Sequence, residues 1–160
     1  AKFPNNLILV DLKTMDAGEY EAEPFYKAGA DICTVLGASG IATIKGVIAA
    51  AKKYGKECQV DMINVDNKED LAKEAVAAGA QIIGVHTGLD AQAAGATPFE
   101  DLASIAALNT GAKISVAGGV KAATAQQVKD AGAAIIVAGA AIYGAADPAA
   151  SAAEITAIAH

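Results

Sequence analysis

A chain of 160 residues with formal net charge −6 and pI near 4.8 has the length of one domain with one core. That charge excludes the basic footprint a nucleic-acid partner requires. The chain is 54% hydrophobic but only 4% aromatic, so its core is expected from Ala, Val, Ile and Leu, as suits helices packed on a parallel sheet.

All 12 basic residues are Lys, which leaves Lys, backbone amides or a metal to hold any anion. Neither a signal peptide nor a run of about 18 apolar residues is seen, which predicts a soluble cytoplasmic protein without a membrane partner. Cys33 and Cys58 read as small buried hydrophobes, with a disulfide or metal site as the alternative.

The chain starts at Ala1 without Met, and Ala-Lys-Phe-Pro-Asn-Asn reads as the end of a helix and a turn. Leu7-Ile8-Leu9-Val10 then runs into Asp11, Lys13 and Asp16, and predicts a strand buried on both faces. Asp11 and Lys13 would point to one face of that strand and Leu12 to the other. A helix is expected over Ala17 to Lys27. Pro24 inside it costs about 3 kcal/mol unless the helix bends or starts later.

Strand and helix then alternate: a strand over Ala30 to Gly37, a helix over Ile41 to Tyr54 stopped by Gly55, a strand over Glu57 to Val65, a helix over Asn67 to Ala78, and a strand over Gln81 to Thr87. A helix over Phe99 to Leu108, a strand over Lys113 to Ala117, a helix over Ala122 to Ala131 and a strand over Ala134 to Ala138 follow. A turn over Gly139 to Gly144 and an amphipathic helix over Pro148 to Ala159 close the chain. Ala-Gly-Ala recurs at 28–30, 78–80 and 131–133, placing Gly at the helix C′ position of three αβ turns.

About six such units in unbroken series mean a parallel sheet with right-handed crossovers and a single domain over 1–160. Polar residues at the C-terminal ends of many strands favour a (β/α) barrel over a doubly wound sheet, although a full barrel has eight units and about 250 residues.

In Asp11-x-Lys13-x-x-Asp16, Asp11 suits a metal-liganding or acid/base carboxylate. Lys13 suits a cation that stabilises developing negative charge, and Asp16 a carboxylate that tunes it. The alternative is a structural Asp11–Lys13 ion pair, with Asp16 capping the next helix. His86 ends an apolar strand and is a candidate for proton transfer, while a packed histidine is the plainer reading. His160 is expected to be inert.

Gly118-Gly119 and Gly139-Ala140 stand between strand and helix in consecutive units, where amides can bind phosphate. Asp61 reads equally as a carboxylate behind the site or a structural acceptor. Asp90-x-Gln92 reads as the start of a helix or turn rather than chemistry.

LILVDLKTMDAGEYEAE, ADICTVLGA, VDMINV, IIGVHTGLDAQAAG, ISVAGGVKAAT and IIVAGAAIYGAADPAA together resemble the 3-hexulose-6-phosphate synthases. These belong to the orotidine-5′-phosphate decarboxylase suprafamily of phosphate-binding (β/α)8 barrels. The resemblance runs the whole length of the chain. The sister 3-keto-L-gulonate-6-phosphate decarboxylases share most of these motifs but usually carry Arg where this chain has Leu89.

The resemblance implies an aldolase-type lyase. A Mg2+-stabilised enediolate of D-ribulose 5-phosphate would add to formaldehyde, giving D-arabino-3-hexulose 6-phosphate. It further implies that Asp11 is a metal ligand, Lys13 an electrostatic stabiliser and His86 the proton-transfer residue. Asp16 would serve the neighbouring subunit of a homodimer, and the amides around Gly118, Gly119, Gly139 and Ala140 would bind phosphate. The family's first two βα units, with an Asp and a metal-binding Glu, have no counterpart here, so a catalytically incomplete fragment that only binds phosphate or self-associates is a third expectation. Pro24 and Gly40 also depart from the family pattern.

Overall fold

The computed structural model describes residues 4–159. The opening Ala1-Lys2-Phe3 and the histidine expected to be inert, His160, lie outside them.

The elements are β1 (Leu9–Thr14), α1 (Gly18–Ala28), β2 (Ile32–Leu36), α2 (Ile41–Tyr54), β3 (Glu57–Asp61), α3 (Lys68–Ala78) and β4 (Ile82–His86). They continue with α4 (Leu89–Ala93), α5 (Phe99–Ala107), β5 (Lys113–Ala117), α6 (Ala122–Asp130), β6 (Ile135–Val137), α7 (Ala140–Tyr143) and α8 (Pro148–Ala159). The strand order is β1-β2-β3-β4-β5-β6. Each strand thus neighbours its predecessor in sequence, with no reversal of order such as a doubly wound sheet carries at its switch point. The chain divides into two compact units, one through Ile83 and one from Gly84.

In the first unit β1, β2 and β3 pair in parallel. Alternation along β2 and β3 turns Cys33, Val35, Cys58 and Val60, all fully buried, to one face. Among the other core residues are Ala22 and Tyr26 of α1 and Ile44, Val47, Ala50 and Ala51 of α2. Each Val or Ile side chain so buried contributes roughly 1.5–3 kcal/mol. The two cysteines are free and buried, as expected of small hydrophobes, and burial pushes the Cys58 thiol up to about 12. The Tyr26 hydroxyl donates to the Glu57 carbonyl at 2.7 Å, and burial raises it well above the ordinary phenol range. Helices α1 and α2 approach closely through glycine: a Cβ on Gly18 would lie 2.2 Å from the Thr43 carbonyl oxygen.

The αβ turns match the recurrent Ala-Gly-Ala. Gly29, Gly79 and Gly132 have φ of 110°, 109° and 103°, a left-handed conformation open to glycine at little cost. Pro24 lies inside α1 and removes one donor from the helix, which runs on through it to Ala28.

The opening strand differs from expectation. Leu7, Ile8 and Leu9 are 73%, 50% and 37% exposed, and the strand begins only at Leu9. β1 stands at the end of the strand order, and its exposed apolar residues show that the run is not buried on both faces. What anchors it is polar: Asp31 Oδ2 accepts from the Ile8 N–H at 2.9 Å, and Asp31 Oδ1 meets Lys56 Nζ at 2.6 Å.

In the second unit β5 and β6 pair in parallel, with Ser115 opposite Ile135 and Ala117 opposite Val137. Leu102 and Ile105 of α5, Val116 of β5, Ala125 and Val128 of α6 and Ile155 of α8 are buried there. Two local readings change. The turn over Gly139 to Gly144 contains a one-turn helix, α7. Helix α8 is not amphipathic: its apolar residues surround the axis and only Ile155 is buried.

Candidate active site

Two groups of side chains stand at strand C-terminal ends, one in each unit. The first is built on β1, β2 and β3. The Lys13 ammonium lies 2.8 Å from Asp61 Oδ2 and 3.2 Å from Asp11 Oδ2. Asp61 is buried, and its Oδ1 accepts from the Ile63 N–H at 2.9 Å, so the side chain is both a partner of Lys13 and a brace for the chain after β3. A carboxylate so buried stays ionised only with such partners. The Thr34 hydroxyl, also buried, donates to Asp11 Oδ1 at 2.7 Å. Burial pulls the half-buried Lys13 ammonium down, but the hydrogen bond and charge of Asp61, with Asp11 behind it, raise it above the ordinary lysine value.

The strand is irregular here. Lys13 has φ of 49°, and the β1–β2 register shifts between Val10 and Thr14, so the lysine sits on a bulge. Asp16 is exposed, and its Oδ1 accepts from the Ala17 N–H at 2.7 Å. It does not cap α1, whose N-cap is Ala17 with no side-chain bond. The carboxylates found against Lys13 are Asp11 and Asp61, not Asp16.

The second group surrounds a cavity of about 370 Å³ in the second unit. His86 at the end of β4, Gly118 and Gly119 after β5, and Gly139 and Ala140 after β6 all line it. Gly118 has φ of 111°, and a Cβ there would lie 2.5 Å from the Thr87 carbonyl oxygen, so glycine is required on both counts. Gln92, on the short helix where Asp90-x-Gln92 was expected to start a helix or turn, donates through Nε2 to the Thr87 carbonyl at 2.7 Å and also lines the cavity.

Two residues were not singled out in the sequence. Among the described residues Lys121 is the one lysine that lines the cavity, and its position just after Gly118-Gly119-Val120 was the available signal. Thr34 carried no signal, because a hydroxyl within an apolar strand does not reveal its partners.

A divalent magnesium ion keeps most of its waters and needs only one or two protein carboxylates. Asp11, half exposed on its side chain, fits as one such ligand, whereas Asp61 is buried and held by Lys13 and the Ile63 N–H. Among the described residues no group of three or more His, Cys, Asp or Glu side chains could hold a metal.

Parallel βα units in sequential order, with charged and glycine-lined strand ends, define an α/β protein of the (β/α) barrel type. The chain belongs to the orotidine 5'-phosphate decarboxylase / HUMPS family, whose model matches residues 1–155. It is 73% identical over 159 residues to 3-hexulose-6-phosphate synthase of Methylomonas aminofaciens, covering 99% of this chain and 76% of that protein. Its fold is similar to that of 3-hexulose-6-phosphate synthase from Salmonella typhimurium, with TM-score 0.94, 40% identity, and coverage of 99% of this chain and 75% of that one. It is also similar to 3-keto-L-gulonate-6-phosphate decarboxylase from Vibrio cholerae, with TM-score 0.83, 27% identity, and coverage of 99% and 74%. The resemblance read from the motifs and the barrel-type fold are therefore borne out, and the close relatives are lyases. Among the described residues no helix is long and apolar enough to cross a membrane.

Proposed function

We propose that the chain condenses formaldehyde with D-ribulose 5-phosphate to give D-arabino-3-hexulose 6-phosphate. The observation that carries this reading is the Lys13 ammonium held between Asp61 and Asp11, in a chain 73% identical to a 3-hexulose-6-phosphate synthase. Loss of the C1 proton from the ketose leaves an enediolate whose negative charge needs a fixed cation. A lysine with raised pKa stays protonated through that step. C1 of the enediolate then bonds to the formaldehyde carbon, the ketone at the neighbouring carbon re-forms, and the formaldehyde oxygen, now an alkoxide, takes up a proton. His86 is the group assigned to proton transfer.

The glycine amides after β5 and β6, with Lys121, take the phosphate dianion, a role the absence of Arg leaves to them. Asp11 would be a ligand for Mg2+, which would supply further positive charge to offset that of the enediolate. The same reading makes the protein a cytoplasmic homodimer in which Asp16 serves the neighbouring subunit.

The test is exchange of the C1 proton of ribulose 5-phosphate with D2O, with Mg2+ present and formaldehyde absent. Exchange above the protein-free rate is expected. No exchange would reduce the chain to a binder of sugar phosphate and sink the proposal.

A further inference from the structure

One buried side chain touches both members of the Asp11–Lys13 pair. Thr34, on β2, is 1% exposed. Its hydroxyl donates to Asp11 Oδ1 at 2.7 Å and accepts from the Lys13 backbone N–H at 2.9 Å. That N–H belongs to the residue whose φ of 49° is disfavoured for any side chain with a Cβ. The register shift takes Lys13 out of the regular β1–β2 ladder, and the threonine oxygen stands in for a ladder carbonyl. Strain of this kind persists only where the surroundings over-determine it.

We propose that Thr34 is the positioning residue of the charged cluster: one hydroxyl holds the left-handed backbone of Lys13 and fixes the orientation of the Asp11 carboxylate. Thr34 acts through these two groups. A hydroxyl is needed because one bond requires an acceptor and the other a donor, and a serine supplies both. A valine keeps the shape and supplies neither. The kinetic part of this inference rests on the proposed condensation, whereas the geometric part does not.

The test compares the full 160-residue chain with its Thr34→Val and Thr34→Ser variants. Hydrogen exchange of the Lys13 amide, followed by NMR, reads the backbone hold directly. Exchange is expected to quicken by about fivefold or more in Thr34→Val, the worth of one net hydrogen bond, and to stay near wild type in Thr34→Ser. With ribulose 5-phosphate and formaldehyde, kcat should fall in Thr34→Val with KM little changed, and recover in Thr34→Ser. Unchanged Lys13 exchange in Thr34→Val, or equal loss in Thr34→Ser, overturns the proposal. Thr34→Ala, which removes both bonds with no methyl against Asp11, is read the same way if the Val variant does not fold. If none of the proteins turns over the substrates, the condensation fails as a reading, and the exchange comparison still decides the role of Thr34.

Discussion

Lys13 stands between two carboxylates in the first unit, and the role proposed for it makes two predictions. Lys13→Ala removes the cation from the developing negative charge, and kcat should drop roughly 10²–10³-fold. Lys13→Met keeps the stem and leaves the Asp61 carboxylate without its ammonium partner. Urea unfolding should then show a loss of roughly 1–3 kcal/mol, discounted because the lysine is partly exposed. The pH dependence follows from the raised lysine pKa. A group whose folded pKa exceeds its unfolded one contributes stability that is complete below the unfolded value of 10.5 and is lost as pH rises through the folded value. The gap between wild type and Lys13→Met should therefore hold at neutral pH and narrow in the alkaline range above 10.5. In the second unit Lys121→Ala should raise KM for the sugar phosphate by about three- to tenfold with kcat nearly unchanged, as loss of a phosphate contact made equally in ground and transition state requires.

At the scale of elements, glycine and proline decide what can be changed. Gly18→Ala would drive a methyl into the Thr43 carbonyl 2.2 Å away and should destabilise by about 1–3 kcal/mol in chemical unfolding. Gly29→Ala meets nothing within 4 Å, and should cost only the left-handed strain, about 1–2 kcal/mol.

The glycine-bounded segments were the legible ones: Ile41–Tyr54 and Lys113–Ala117 stand where the pattern places them, and Pro148–Ala159 has the expected bounds without the expected amphipathic face. The strand expected over Glu57 to Val65 stops at Asp61, although Met-Ile-Asn-Val has strand-like composition. Asp61 Oδ1 takes the Ile63 N–H, and Asn64 turns left-handed with φ of 56°, so the chain leaves the sheet. That is a tertiary and backbone effect that composition does not carry. The burial of Leu7-Ile8-Leu9 was misjudged for a related reason. An apolar run shows what a strand could bury, and its neighbours decide what it does bury.

For the molecule as a whole, the order of the units was legible because each helix stop and apolar run repeats one supersecondary pattern, and sequential strand order selects the barrel type. The grouping of His86, Gly118, Gly119, Gly139 and Ala140 around one cavity follows from that order, since strand ends of successive units lie side by side. The left-handed φ of Lys13 and the hydroxyl behind it were not legible, because no residue type there demands them.

The central claim is a condensation specific to formaldehyde and a pentulose phosphate. It is tested most directly by giving the chain, with Mg2+, either ribulose 5-phosphate plus formaldehyde or 3-keto-L-gulonate 6-phosphate, and measuring hexulose phosphate formed against CO2 released. Formaldehyde-dependent formation of the hexulose phosphate, with little CO2, is the predicted result. Preferential release of CO2 from the keto-gulonate, or consumption of neither substrate, would contradict it.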